Sequence, residues 1–279
     1  MTHALRSIIQ KNRAGTPVAI PSVCSAHPDV LRASLVLAER LDRQIVIEST
    51  SNQVNQDGGY TGITPEGFIR FVYGIADRAN VARERIIFGG DHLGPQAWRS
   101  MSADDAMEKA RVLVRDYVKA GFGKIHLDCS EGCAGEAAQL TDDQTAERSA
   151  NLARVCAEES DDLLFVVGTE VPPPGGARAD EDGDIPPTNA QDAAATLKAH
   201  IDTFGNWRPL LAASWYSPAS SLAPQTCITC RSIVIPASSP PSPITQLYAW
   251  KHTPPTINAR SPMCALRNLA LPSRRWARR

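Results

Sequence analysis

Asp91 and His92 stand side by side in GGDHLGP, at the end of a short apolar run. A carboxylate can move a proton and an imidazole can share that proton or bind a metal, so this pair is the first place to look for chemistry. The bland alternative is that it caps the helix that follows. Other polar side chains sit at equivalent places. Ser22, Cys24 and His27 follow one apolar run, Glu48, Ser51, Asn52 and Gln53 a second, Asp128 and Ser130 a fourth, and Glu170 a fifth. The amides of Asn52 and Gln53 suit sugar hydroxyls, and equally suit loop backbone groups. Zinc requires three or more converging protein ligands. His27, His126 and His200 show no close ligand spacing, and His126, in mid-strand, reads as a packed core histidine. Cys129 and Cys133 read as ordinary thiols. Cys227-x-x-Cys230 has no second pair beside it and is weak support for a zinc or redox site.

The elements that must position these residues alternate. Short runs rich in Val, Ile and Leu read as buried strands: PVAI at 17–20, QIVIE at 44–48, RIIFGG at 85–90, KIHLDC at 124–129 and LLFVVG at 163–168. An amphipathic helix opens the chain, and longer stretches with helical spacing lie at 27–42, 64–78, 102–121, 141–160 and 189–204. Thr64 before Pro65 and Glu66, Ser102 before Asp104 and Asp105, and Thr141 before two aspartates are helix starts; Gly121 is a helix stop. Strands buried on both faces and joined by helices imply a parallel sheet, whose strand C-termini carry the chemistry. Periodicity alone fits an open doubly wound sheet or part of a closed barrel. No G-x-G-x-x-G follows the first run, which weakens a dinucleotide-binding reading.

A length of 279 residues, 43% of them hydrophobic, is enough for one large domain or two small ones. The net charge of −1 suggests no nucleic-acid partner, no run reaches the length of a membrane span, and the N-terminus has no apolar signal region. Seven cysteines without such a signal point to a reducing, cytoplasmic setting. The average charge hides a break. Residues 1–204 hold all 30 acidic residues and carry a local net of −10; residues 205–279 hold none, carry +9, and include eleven of the 21 prolines.

Four segments, IESTSNQVNQDGGYTG, GGDHLGP, AGFGKIHLDCS and VGTEVPPPGG, closely resemble the accessory, non-catalytic subunit of class II D-tagatose-1,6-bisphosphate aldolase. The resemblance runs in order from about residue 21 to 204. It implies a (β/α)₈ TIM barrel of the class II aldolase type, related to metal-dependent sugar-phosphate aldolases. It implies Asp91 as the residue that moves a proton at the carbon released by C–C cleavage, and His92 as a zinc ligand. Glu170, ahead of Gly175-Gly176, is implied as a further metal-site residue. Glu48, Asn52, Gln53 and Asp128 are expected to bind substrate. The implied partners are a catalytic class II aldolase subunit and a sugar bisphosphate, in galactitol or N-acetylgalactosamine breakdown. A second reading makes the protein itself a metal-dependent aldolase, epimerase or kinase of tagatose phosphate. The kinase ranks last because no P-loop is present.

After Phe204 the strand–helix rhythm stops. The expected organisation is therefore about five βα units over 1–204 and a non-native, disordered tail over 205–279. Regrouping codons from Trp215, so that each new codon takes the last base of one and the first two of the next, reads VQPGVEF with suitable synonymous choices. The same shift across Trp250 to Ala259 reads LEAHSTDYQR. Both resemble segments the family carries at this point, so residues from somewhere in 205–214 onward read as out-of-frame translation, and the shortened chain is expected to be inactive alone. A third reading keeps the chain intact, as an α/β domain with a basic interaction tail; the tail lacks Lys clusters and repeats, which counts against it.

Overall fold

A computed structural model describes residues 5–16, 18–168, 190–205, 211–214 and 233–234, all within the compact unit Met1–Pro240. Helix α1 (Leu5–Arg13) precedes β1 (Ser22–Cys24). Then α2 (Pro28–Arg40), β2 (Ile45–Thr50), α3 (Pro65–Arg78), β3 (Ile86–Leu93), α4 (Ala103–Ala120) and β4 (Lys124–Leu127) alternate. They are followed by α5 (Asp142–Glu159), β5 (Leu164–Val167), α6 (Ala190–Phe204), β6 (Leu211–Ser214) and β7 (Ile233–Val234).

The sheet order is the chain order, β1 through β7, with every pair from β1 to β6 parallel and β7 antiparallel to β6. A doubly wound sheet reverses its strand order at a switch point; this one never does. Helices α2 to α6 pack each against the next, as in the outer ring of a barrel. The choice that periodicity left open falls to the barrel arc.

The helix boundaries follow their caps. Thr64 Oγ1 accepts the Gly67 N–H with Pro65 at the first helical position, and Ser102 Oγ accepts the Asp105 N–H. Thr141 and Gln144 form a reciprocal capping box. Gly121, at φ 110°, closes α4 in the left-handed region. Between sheet and helices lies an aromatic cluster. Phe88 and Tyr117 stand 5.6 and 4.4 Å from Phe122, and a fully buried ring of this kind contributes about 1.5–3 kcal/mol.

Two expectations need correcting. PVAI is not the first strand, which starts at Ser22. The Asn12 side chain satisfies Val18, accepting its N–H at 3.2 Å and donating to its carbonyl at 2.7 Å, so the ladder opens only at Pro21, whose carbonyl accepts the Val46 N–H. The parallel pattern also continues past Phe204. Leu211–Ser214 adds a sixth strand beside β5, one strand beyond the five expected.

Candidate metal and substrate site

The site starts at β3. Its Gly89 faces the Glu48 carboxylate, where a Cβ would come within 2.6 Å of Glu48 Oε1, so the strand has no side chain there. Glu48 reaches across that gap. It accepts hydrogen bonds from Ser22 Oγ on β1 and from the Lys124 ammonium on β4. Three strands are thus joined by one carboxylate, with the ion-paired side chains 7% and 15% exposed. Burial pulls the Lys124 pKa down, but Glu48 and Asp91 more than offset it and hold the ammonium above its ordinary value.

One layer further along, Asp91 pairs in register with Thr50 on β2. Gly90 pairs with Ile125, which sets Asp91 beside His126 on β4. His126 Nδ1 lies 3.0 Å from Asp91 Oδ1, and His92 Nδ1 lies 3.2 Å from the same oxygen. Successive strand residues normally point to opposite faces. Here the register shifts between Gly90 and Leu93, and His92 takes a left-handed conformation (φ 49°) that is rare outside glycine. That kink brings both neighbours to one place. The chain then passes so close to the Asp128 carbonyl that only glycine fits at Gly94.

Ligand atoms of Asp91, His92 and His126 all lie within 4.8 Å of one another, and the two imidazole centroids are 4.5 Å apart. Burial opposes ionisation of Asp91, but hydrogen bonds from His126 and His92 and the charge of Lys124 hold it well below the usual carboxylate range. His92 is pushed down by burial and raised more strongly by Asp91, so it ends above its ordinary value; burial dominates at His126 and lowers it. His126 Nε2 is buried with no hydrogen-bond partner among the described residues. Two imidazoles, one carboxylate and a buried open nitrogen are a donor set that fits a divalent transition metal.

The other expected residues fall in different places. Asn52 and Gln53 line a cleft of about 700 Å³ beyond the end of β2. Gln53 Oε1 accepts the Thr50 N–H at 3.0 Å, so part of its amide does satisfy the loop backbone. Asp128 Oδ1 accepts from the Ser130 N–H and hydroxyl, at 3.0 and 2.7 Å. Glu170, Gly175-Gly176, Cys227 and Cys230 lie outside the described residues. His27 caps α2, accepting the Asp29 N–H, and His200 is buried on α6. His126, expected as a core packing residue, is buried, and it also lies within ligand distance of Asp91 and His92. The signal that finds it is the pairing of β3 with β4, since its spacing from His92 carries none.

The family profile described as D-tagatose-1,6-bisphosphate aldolase subunit GatZ/KbaZ-like matches residues 5–215. The D-tagatose-1,6-bisphosphate aldolase subunit GatZ of Escherichia coli (strain K12) is 48% identical over 207 residues, covering 72% of this chain and 49% of that protein. The GatZ subunit of Shigella flexneri matches with the same identity and coverage. The chain spans about half the length of the curated relatives it matches. Among solved structures, a probable tagatose 6 phosphate kinase from Sinorhizobium meliloti 1021 is 41% identical with a TM-score of 0.64, over 72% of this chain and 49% of that one. The profile match over most of the chain and the sequence identity agree: the chain belongs to the D-tagatose-1,6-bisphosphate aldolase subunit GatZ/KbaZ-like family.

Proposed function

We propose that the protein serves as an accessory subunit of a class II D-tagatose-1,6-bisphosphate aldolase, raising the activity or stability of a separate catalytic barrel subunit in sugar catabolism. The observation that carries this reading is the family match across residues 5–215, at 48% identity to named subunits. Among the described residues, no helix is long and apolar enough to cross a membrane. The test mixes this chain with a purified catalytic class II tagatose-bisphosphate aldolase subunit and follows cleavage to glycerone phosphate and glyceraldehyde 3-phosphate. A several-fold rise in rate, or slower inactivation of the catalytic subunit, is the expected result with the frame-corrected protein run beside this shortened chain. An unchanged rate and lifetime at saturating chain would reject the role.

The convergence of Asp91, His92 and His126 favours a second reading, in which the same barrel is a metal-dependent aldolase in its own right. Zinc held by His92 and His126 would supply Lewis-acid polarisation of a ketose carbonyl. Asp91, kept ionised by its two imidazole neighbours, would accept or return the proton at the carbon freed by cleavage. The Glu48–Lys124 pair would hold β2 and β4 at a fixed separation beneath it. Turnover by this chain without the partner, together with bound zinc, separates this reading from the first. Glu170 as a further metal-site residue belongs to the same proposal.

The stretch from somewhere in 205–214 onward is read as out of frame with the family. Two facts support that: the family match ends at 215, and among the described residues the last parallel strand ends at Ser214.

A further inference from the structure

We infer that the cleft beyond β2 is a subsite for the uncharged, hydroxylated stretch of a sugar ligand, with the Tyr60 ring as the face on which the sugar rests. It deepens the proposed function, which it uses only to choose the ligand class.

The turn that carries Tyr60 is fixed, not loose. The Tyr60 N–H donates to the Asn52 carbonyl at 3.0 Å, and the Thr61 hydroxyl donates to the Gln53 carbonyl at 2.7 Å. Asn55 Oδ1 accepts from the N–H groups of Asp57 and Gly59, both at 2.9 Å. Gly59 lies so close to this loop, at φ 56°, that a Cβ would meet the Gln53 carbonyl oxygen at 2.5 Å. The buried Tyr117 hydroxyl anchors the same loop from below, donating to the Val54 carbonyl at 2.9 Å. On this braced turn Tyr60 is left 74% exposed, although it lines the cleft. A rigid loop that holds a large aromatic ring open to solvent forgoes the burial the ring would otherwise gain, and such a ring marks a contact surface.

The lining decides what the surface contacts. The cleft volume of about 700 Å³ is in the range of small-molecule sites. Among the described residues its lining holds no lysine, arginine or histidine. Phosphate oxygens are gripped by such cations or by bundles of backbone N–H groups, so the phosphate ends belong elsewhere. What the lining does offer is amide chemistry. Gln53 Nε2 and Asn52 Oδ1 take no protein partner among the described residues, while Gln53 Oε1 and Asn52 Nδ2 are held by Thr50 and Gln96. One free donor and one free acceptor beside an aromatic face suit alternating hydroxyls above a C–H surface. Thr50 lines the cleft and pairs in register with Asp91, so the cleft lies at the same end of the sheet as the Asp91–His126 cluster, which is not part of its lining.

The experiment is saturation-transfer NMR on the full chain with D-tagatose, which carries no phosphate. Transfer to the sugar C–H protons is expected in the wild type and in Tyr60→Phe. Tyr60→Ala is expected to weaken binding by at least about tenfold, as truncation of an aromatic anchor does. Inorganic phosphate should not displace the sugar, and chelator treatment or His126→Ala should leave it bound. Equal binding by Tyr60→Ala, displacement by phosphate, or no transfer from the wild type would each overturn the assignment. If the catalytic-subunit experiment fails while Tyr60-dependent tagatose binding persists, the subsite stands and the accessory role falls. If stimulation is seen without tagatose binding, the reverse holds.

Discussion

His126 Nδ1 on β4 and Asp91 Oδ1 on β3 are 3.0 Å apart, so two neighbouring strands are joined at their C-terminal ends by one side-chain contact. Asp91 shares that oxygen with His92, which leaves the open Nε2 of His126 as the deepest donor of the cluster.

Removing that donor should be read first in metal content. His126→Ala is expected to lower zinc affinity by about tenfold or more, as loss of a ligand or its supporting partner does. Competition with a chromophoric chelator measures it. Zinc uptake by the variant equal to wild type would show that His126 is a packing residue after all.

The Glu48–Lys124 pair should behave as a buried ion pair. Glu48→Gln strands a lysine ammonium only 15% exposed, and the expected loss is about 3–5 kcal/mol in urea unfolding. Glu48→Leu combined with Lys124→Met should recover much of it, because no uncompensated charge remains. A single variant as stable as wild type would mean that water reaches the ammonium.

His200 supplies a pH signature. Burial lowers its pKa below 6.5, against the smaller opposing pulls of its hydrogen bond to the Thr196 carbonyl and of Asp142 and Asp128. The unfolded chain therefore binds a proton that the folded chain refuses, and stability falls as pH drops from about 7 toward the folded value. His126 adds to that slope and His92 opposes it. Unfolding midpoints at a series of pH values should show a shallower slope for His200→Leu than for wild type. Parallel slopes would remove His200 from the account.

The tail prediction is genetic. Resequencing genomic DNA across codons 205–214 should reveal a one-base discrepancy whose correction restores VQPGVEF and EAHSTDYQR in one frame. An unchanged read would leave the basic, proline-rich tail as the true product, and steep salt-dependent DNA binding would then be the property to measure.

Much of the scaffold was legible because local rules govern it. Thr64, Ser102 and Thr141 start helices where hydroxyl caps should, and Gly121 stops one where a left-handed residue is needed. The first strand was misplaced because PVAI has strand composition, while the Asn12 side chain, six residues away, satisfies the backbone of Val18. The sixth strand, LAAS, has three small residues after Leu211 and no β-branched signature. The site was half legible. Asp91 and His92 are adjacent and share a motif; His126 and Lys124 join them only through cross-strand register, which no spacing within the sequence encodes.

Because strand order equals chain order, each new strand of the arc docks on the one synthesised just before it. Contacts of that kind close short loops and form early. Asp91, His92 and His126 are thus brought together by one nearest-neighbour pairing, β3 with β4, within the first half of the chain. All three side chains lie on β3 and β4, so the cluster is built from the first four strands and draws no residue from the later part of the sheet.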